Sequence, residues 1–108
     1  MAPNDSSQTK LPSEGVEGAI IEKLQTPRKF KVVLLNDDFT PMDFVVMILQ
    51  RFFQKDATEA KQIMLQVHNE GKGVAGIYSH EVAEMKTMQT NQFARMHQYP
   101  LKAIMEPE

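Results

Sequence analysis

A chain of 108 residues with a formal charge of -2 is large enough for one domain with one modest core and too short for two. It contains no cysteine, which excludes disulfides and thiolate metal sites, and no run near the roughly 18 apolar residues of a membrane span. Its mild acidity gives no general attraction to nucleic acid, its start carries no signal-peptide pattern, and a cytoplasmic protein is expected.

Residues 1–27 read as an N-terminal extension. Pro3, Pro12, Pro27, Gly15 and Gly18 are scattered among Ser, Asn, Gln and acidic side chains. Only Ala19 to Leu24 could make a turn of helix, and so few apolar groups cannot offset the entropy of ordering the segment. After Pro27 the pattern changes. Phe30, Val32 and Leu34 alternate with Lys31, Val33 and Leu35, which predicts a strand with one apolar face and one mixed face. Asn36-Asp37-Asp38 end it, being depleted from strands and favoured in turns.

A helix follows, with Thr40 as its cap, Pro41 at the first helical position and Asp43 at capping-box spacing. Val45, Ile48, Leu49, Phe52 and Phe53 share a broad face that Phe44, Val46 and Met47 widen, so much of its circumference should be buried. Asp56, with Glu59 three residues on, starts a second helix; Ala60, Ile63, Met64 and Val67 recur along it, and Gly71 ends it. Val74, Ala75, Ile77 and Tyr78 mark a second strand over Gly73–Ser79. Ser79 caps a third helix to about Met96, in which Val82, Met85, Met88 and Phe93 are loosely spaced, suggesting a surface helix. Leu101, Ala103 and Met105 give a last short strand. The expected fold is α+β, a small three-stranded antiparallel sheet packed against three helices in βααβαβ order, over residues 28–108.

Chemistry-bearing residues concentrate at one place. Asn36, Asp37 and Asp38 sit where the first strand gives way to a helix. Met64, Val67 and His68 share a face of the second helix by i, i+3, i+4 spacing. If the first two helices pack side by side, that face meets Met42 and Val45 and makes an apolar hollow with a polar rim. Three readings of the rim are open. Asp37 and Asp38 are ordinary turn residues and His68 a surface histidine; or two carboxylates and a histidine hold a metal for hydrolysis; or the rim receives an ammonium group beside an apolar side chain. An Asn carbonyl, an Asp carboxylate and a neutral His nitrogen are three acceptors that match the three donors of an α-amino group. No HExxH, phosphate loop or nucleophile with an evident base supports an enzyme. The eight methionines serve either as core filler or as an adaptable apolar surface.

The segments FKVVLLNDDFTPMDFVVMILQRFF, MLQVHNEGKG, HEVAEMK and YPLKAIME together resemble the ClpS family, the N-end-rule adaptors of the ClpA–ClpP protease, over Phe30 to Glu106. The resemblance implies a non-catalytic adaptor without metal or cofactor. It implies that Asn36, Asp37 and His68 hold the α-amino group of an N-degron. It also implies that Asp38, Thr40, Met42, Val45, Met64, Val67 and Leu101 form or border a pocket for a first side chain of Leu, Phe, Tyr or Trp. The implied partners are N-degron proteins and the N-terminal domain of ClpA, or of a relative such as ClpC, and not nucleic acid or membrane. Docking would use a face including Glu81 and Lys86, the extension would assist delivery, and the adaptor would modulate the unfoldase's choice of substrate. Two rivals are an adaptor of the same fold for an internal peptide and a small metal-dependent hydrolase.

Overall fold

The structure is a computed structural model and describes residues 28–108; the N-terminal extension expected over residues 1–27 lies outside them. The elements run β1 (Lys29–Leu35), α1 (Met42–Phe53), α2 (Ala57–Glu70), β2 (Lys72–Ser79), α3 (His80–Met96) and β3 (Lys102–Pro107). The sheet is antiparallel in the order β2-β1-β3. The α+β, βααβαβ arrangement expected from the sequence is therefore the one observed.

β1 is central because it is the one strand buried on both faces. Val32 and Leu34 are buried within the core with Ala103, Leu101 and Ala75, while Phe30 and Met105 pack against it. The opposite face carries Lys31, Val33 and Leu35, of which Val33 is also buried. Pairing of β1 with β2 shifts register between Val32 and Val33, whose partners are Gly76 and Val74. Ala75 is thus the extra residue of a bulge, and it is fully buried. The outer edge of β3 is closed by Asn91 of α3, whose side chain donates to Ala103 O (3.0 Å) and accepts from Ala103 N (2.8 Å). A side-chain amide there takes the place of a fourth strand.

The helices pack on the Val32–Leu34 face. α1 buries Phe44, Val45, Ile48, Leu49 and Phe53; Met47, expected to widen this stripe, is more than one-third exposed. α2 is capped by Asp56, which accepts from Glu59 N at 2.8 Å, and closes on Gly71 at φ +91, a conformation that costs little only without a Cβ. α3 starts at Ser79, whose hydroxyl accepts from Val82 N.

One local expectation differs from the structure. Thr40 does not cap α1: Pro41 is the N-cap residue, without a side-chain cap, because the Thr40 hydroxyl is bonded to Asp37. On α3, Met85 and Met88 are exposed, and the buried positions are Ala83, Thr90 and Ala94. Small side chains allow a close approach to the sheet, and Phe93 packs against the same core.

Thr90 is fully buried and its hydroxyl has no hydrogen-bond partner among the described residues. An unpaired buried hydroxyl costs about 1–3 kcal/mol. Thr90→Val, which keeps the shape, is expected to raise the midpoint of thermal unfolding by several degrees, at about 4–8 °C per kcal/mol for a domain of this size. A lower midpoint would show that the hydroxyl is satisfied.

Candidate functional site

The end of β1 is fastened to the end of α2 by one backbone bond, Asn36 N–H to Gly71 O at 2.9 Å. Gly71 in turn donates to Val67 O at 3.0 Å. The turn that leaves β1 and the last turn of α2 are thereby held against each other, although far apart in sequence.

Asp37 folds that turn. Its Oδ1 accepts from the N–H groups of Phe39 (2.8 Å) and Thr40 (2.7 Å), and its Oδ2 accepts from the Thr40 hydroxyl (2.7 Å). Burial alone would raise the Asp37 pKa. The Thr40 hydroxyl, the two backbone N–H groups and the positive charge of Arg95 together outweigh it and hold the carboxyl below its ordinary value. Asp37 is thus an ionised, three-bonded organiser of the loop, and Asn36 and Asp38 on either side of it are exposed.

Opposite this turn, α2 presents Met64, Val67 and His68, and the first turn of α1 presents Met42 and Val45. With Asn36, Asp37, Asp38 and Thr40 these residues line a single hollow of about 240 Å³. Its depth is graded. Val45 and Val67 are buried, Met42 is 42% exposed, and Asn36, Asp38 and His68 are exposed. Apolar groups form the floor and polar groups the rim. The volume lies just below the roughly 300–1,000 Å³ of pockets for drug-sized ligands, a scale suited to one side chain and the polar group next to it.

Of the ten residues expected at the amine and side-chain sites, nine line this hollow. Leu101 does not: it is buried in the core. Glu81 and Lys86 lie outside the hollow on α3. Glu81 is exposed in the first turn. Lys86 is half-buried, donates to Phe52 O at 2.6 Å, and has its Nζ over the rings of Tyr78 (5.3 Å) and Phe53 (5.8 Å). Its ammonium thus meets the negative end of α1. Asp37, Asp38 and His68 share the hollow, yet among the described residues no three His, Asp or Glu side chains converge as a metal-binding group.

Three contributors were not connected to the site from the sequence. Gly71 anchors Asn36 through its carbonyl. Gly73 lies behind the floor, where an added Cβ would come within 2.9 Å of Val67 Cγ2. Arg95 acts on Asp37 from the far end of α3. The D-x-x-T spacing of Asp37 and Thr40 was the available sign of the folded turn; nothing local announces Arg95.

Because the Asp37 pKa is lowered on folding, its contribution to stability is full above the ordinary value of 3.8 and is lost as pH falls through the lowered value. Asp37→Asn is expected to be less stable than the parent at pH 7 in urea melts. That gap should hold at pH 5 and shrink below pH 3.8; a gap that stayed constant down to pH 2 would remove ionised Asp37 from the loop's support.

Residues 25–104 match the family described as ATP-dependent Clp protease adaptor protein ClpS. The chain is similar to the ATP-dependent Clp protease adapter protein ClpS of Bdellovibrio bacteriovorus, 58% identical over 96 residues that cover 88% of this chain and 84% of the relative. It is also similar to that of Rhodospirillum centenum, 47% identical over 108 residues covering both chains completely. Among solved structures it resembles Agrobacterium tumefaciens ClpS2 bound to L-phenylalaninamide, with a TM-score of 0.74 and 32% identity over 76% of this chain and 99% of that one. By sequence match over most of its length and by fold, the chain belongs to the ClpS family of Clp protease adaptors.

Proposed function

We propose that the hollow receives the first residue of an N-degron protein, and that the adaptor then delivers this protein to the ClpA unfoldase of the ClpAP protease without catalysing a reaction itself. The observation that carries the reading is the graded lining: an apolar floor of Val45 and Val67 beneath a rim of Asn36, Asp37 and His68. A first residue has that same polarity, an ammonium beside a side chain. The Agrobacterium relative is bound to L-phenylalaninamide, a free amine next to an aromatic side chain, which supports the assignment here.

The magnitudes require both halves. Burying a Leu or Phe side chain contributes about 1.5–3 kcal/mol, and a hydrogen bond to a charged group about 1.5–3 kcal/mol. Micromolar affinity needs about 8 kcal/mol after association costs, which neither half supplies alone. In fluorescence anisotropy, peptides beginning with Leu, Phe, Tyr or Trp should bind, and acetyl-Leu and Arg peptides should not. Binding indifferent to acetylation would favour the rival reading, a groove for internal peptides. Met42 at the mouth crowds the region where a β-branched side chain carries its bulk. Met42→Ala is expected to admit N-terminal Ile and Val, and unchanged discrimination would remove Met42 as the gate.

For the unfoldase we assign the exposed Glu81 face of α3. Lys86 is a poor probe of that contact because it also caps α1, so its loss would disturb the core. Glu81→Lys is expected to weaken binding of the ClpA N-terminal domain at least tenfold, a change of about 1.4 kcal/mol, while peptide affinity stays at the parent value. Equal loss of both would place Glu81 in the fold rather than the interface.

A further inference from the structure

Arg95 belongs to no part of the hollow, yet the structure connects it to both of the hollow's sides. Its Nη1 donates to Tyr99 O (2.8 Å) and Leu101 O (3.1 Å), the carbonyls of the residues immediately before and after Pro100. The turn between α3 and β3 is closed further by Tyr99 N–H to Ala94 O and Gln98 N–H to Arg95 O, both at 2.9 Å. Gln98 adopts φ +64, a left-handed conformation that a residue with a Cβ holds only under constraint. The turn then buttresses α1. The Tyr99 ring meets Phe44 edge-on at 4.6 Å, and Phe44 directly precedes Val45 of the hollow's floor. Leu101 is buried in the same core as Val45 and Val67. On the other side, the Arg95 charge reaches Asp37, which folds the rim.

We propose that Arg95 is a positioning residue for the hollow: it holds the Tyr99–Leu101 turn against α1 and so fixes the floor on which a large first side chain rests. Large rings depend most on a fixed floor, because their contacts extend deepest and a gap of a fraction of an ångström forfeits much of the dispersion attraction. The proposal rests on the N-terminal-residue reading of the site. Arg95→Met removes the donors while keeping an unbranched side chain. It is expected to weaken binding of a Phe peptide about fivefold and of a Leu peptide less than twofold, on a scale where tenfold is 1.4 kcal/mol. Arg95→Lys, which can still donate to both carbonyls, is expected to restore the Phe peptide to within about twofold of the parent.

The comparison variant is Asn91→Ala. It frees β3 from α3 at Ala103 but leaves the Tyr99–Leu101 turn bonded, so it lowers stability without touching the proposed staple. Each variant is measured by anisotropy at a temperature where its own unfolding curve shows it folded. A Phe-to-Leu affinity ratio that falls in Arg95→Met, recovers in Arg95→Lys and stays at the parent value in Asn91→Ala establishes the role. An unchanged ratio in Arg95→Met, or an equal fall in Asn91→Ala, overturns it. Loss of the amine requirement in the unaltered protein, tested with acetyl-Phe peptide, would count against the reading of the site and not against Arg95.

Discussion

The pairing of β1 along both of its edges is the constraint from which the rest follows. A strand hydrogen-bonded on both sides leaves no free backbone edge, so its neighbours are fixed in register by β2 and β3. Its inward residues Val32 and Leu34 are fully buried, and they can be so only if helices cover that face. All three helices accept that role, and β1 then stops at Asn36, beside the end of α2. The chain turns there because the Asp37 carboxylate accepts three hydrogen bonds, two of them from backbone N–H groups that a strand neighbour would otherwise have paired.

This end of β1 is also where the functional reading sits. A turn with an ionised carboxylate at its centre and exposed amide and acid groups around it faces a helix whose apolar residues are half or fully buried. Neither partner makes a receptor alone. The turn would be an ordinary exposed loop, and the Met64–Val67 face would be core. Their juxtaposition, fastened by the Asn36–Gly71 bond, turns core edge into a hollow of defined depth.

Much of the fold was legible in the sequence because its local signals agree with its packing. Alternation over Phe30–Leu35, the Asp56–Glu59 and Ser79–Val82 caps, and Gly71 each describe the element that forms. The failures share one cause, competition from a partner that spacing does not show. Thr40 had the right position for a cap but gives its hydroxyl to Asp37. β3 begins at Lys102, one residue later than expected, and Leu101 sits in the core rather than in the hollow's lining. The site was legible to the extent that it is local, through Asn36-Asp37-Asp38 and the i, i+3, i+4 trio on α2. Gly73 and Arg95 reach it only through tertiary contacts, and no pattern in the sequence marks either.

All nine residues that line the hollow fall between Asn36 and His68, and the backbone bond from Asn36 to Gly71 closes that stretch into a ring. β2, α3 and β3 contribute no side chain to the lining. They stand behind it as a support. On the function proposed above, cargo would be held by this closed stretch and the unfoldase by the start of α3, so the two attachments would lie in different segments. Variation at the exposed start of α3, away from Arg95, would then retune one attachment while the closed ring conserves the other.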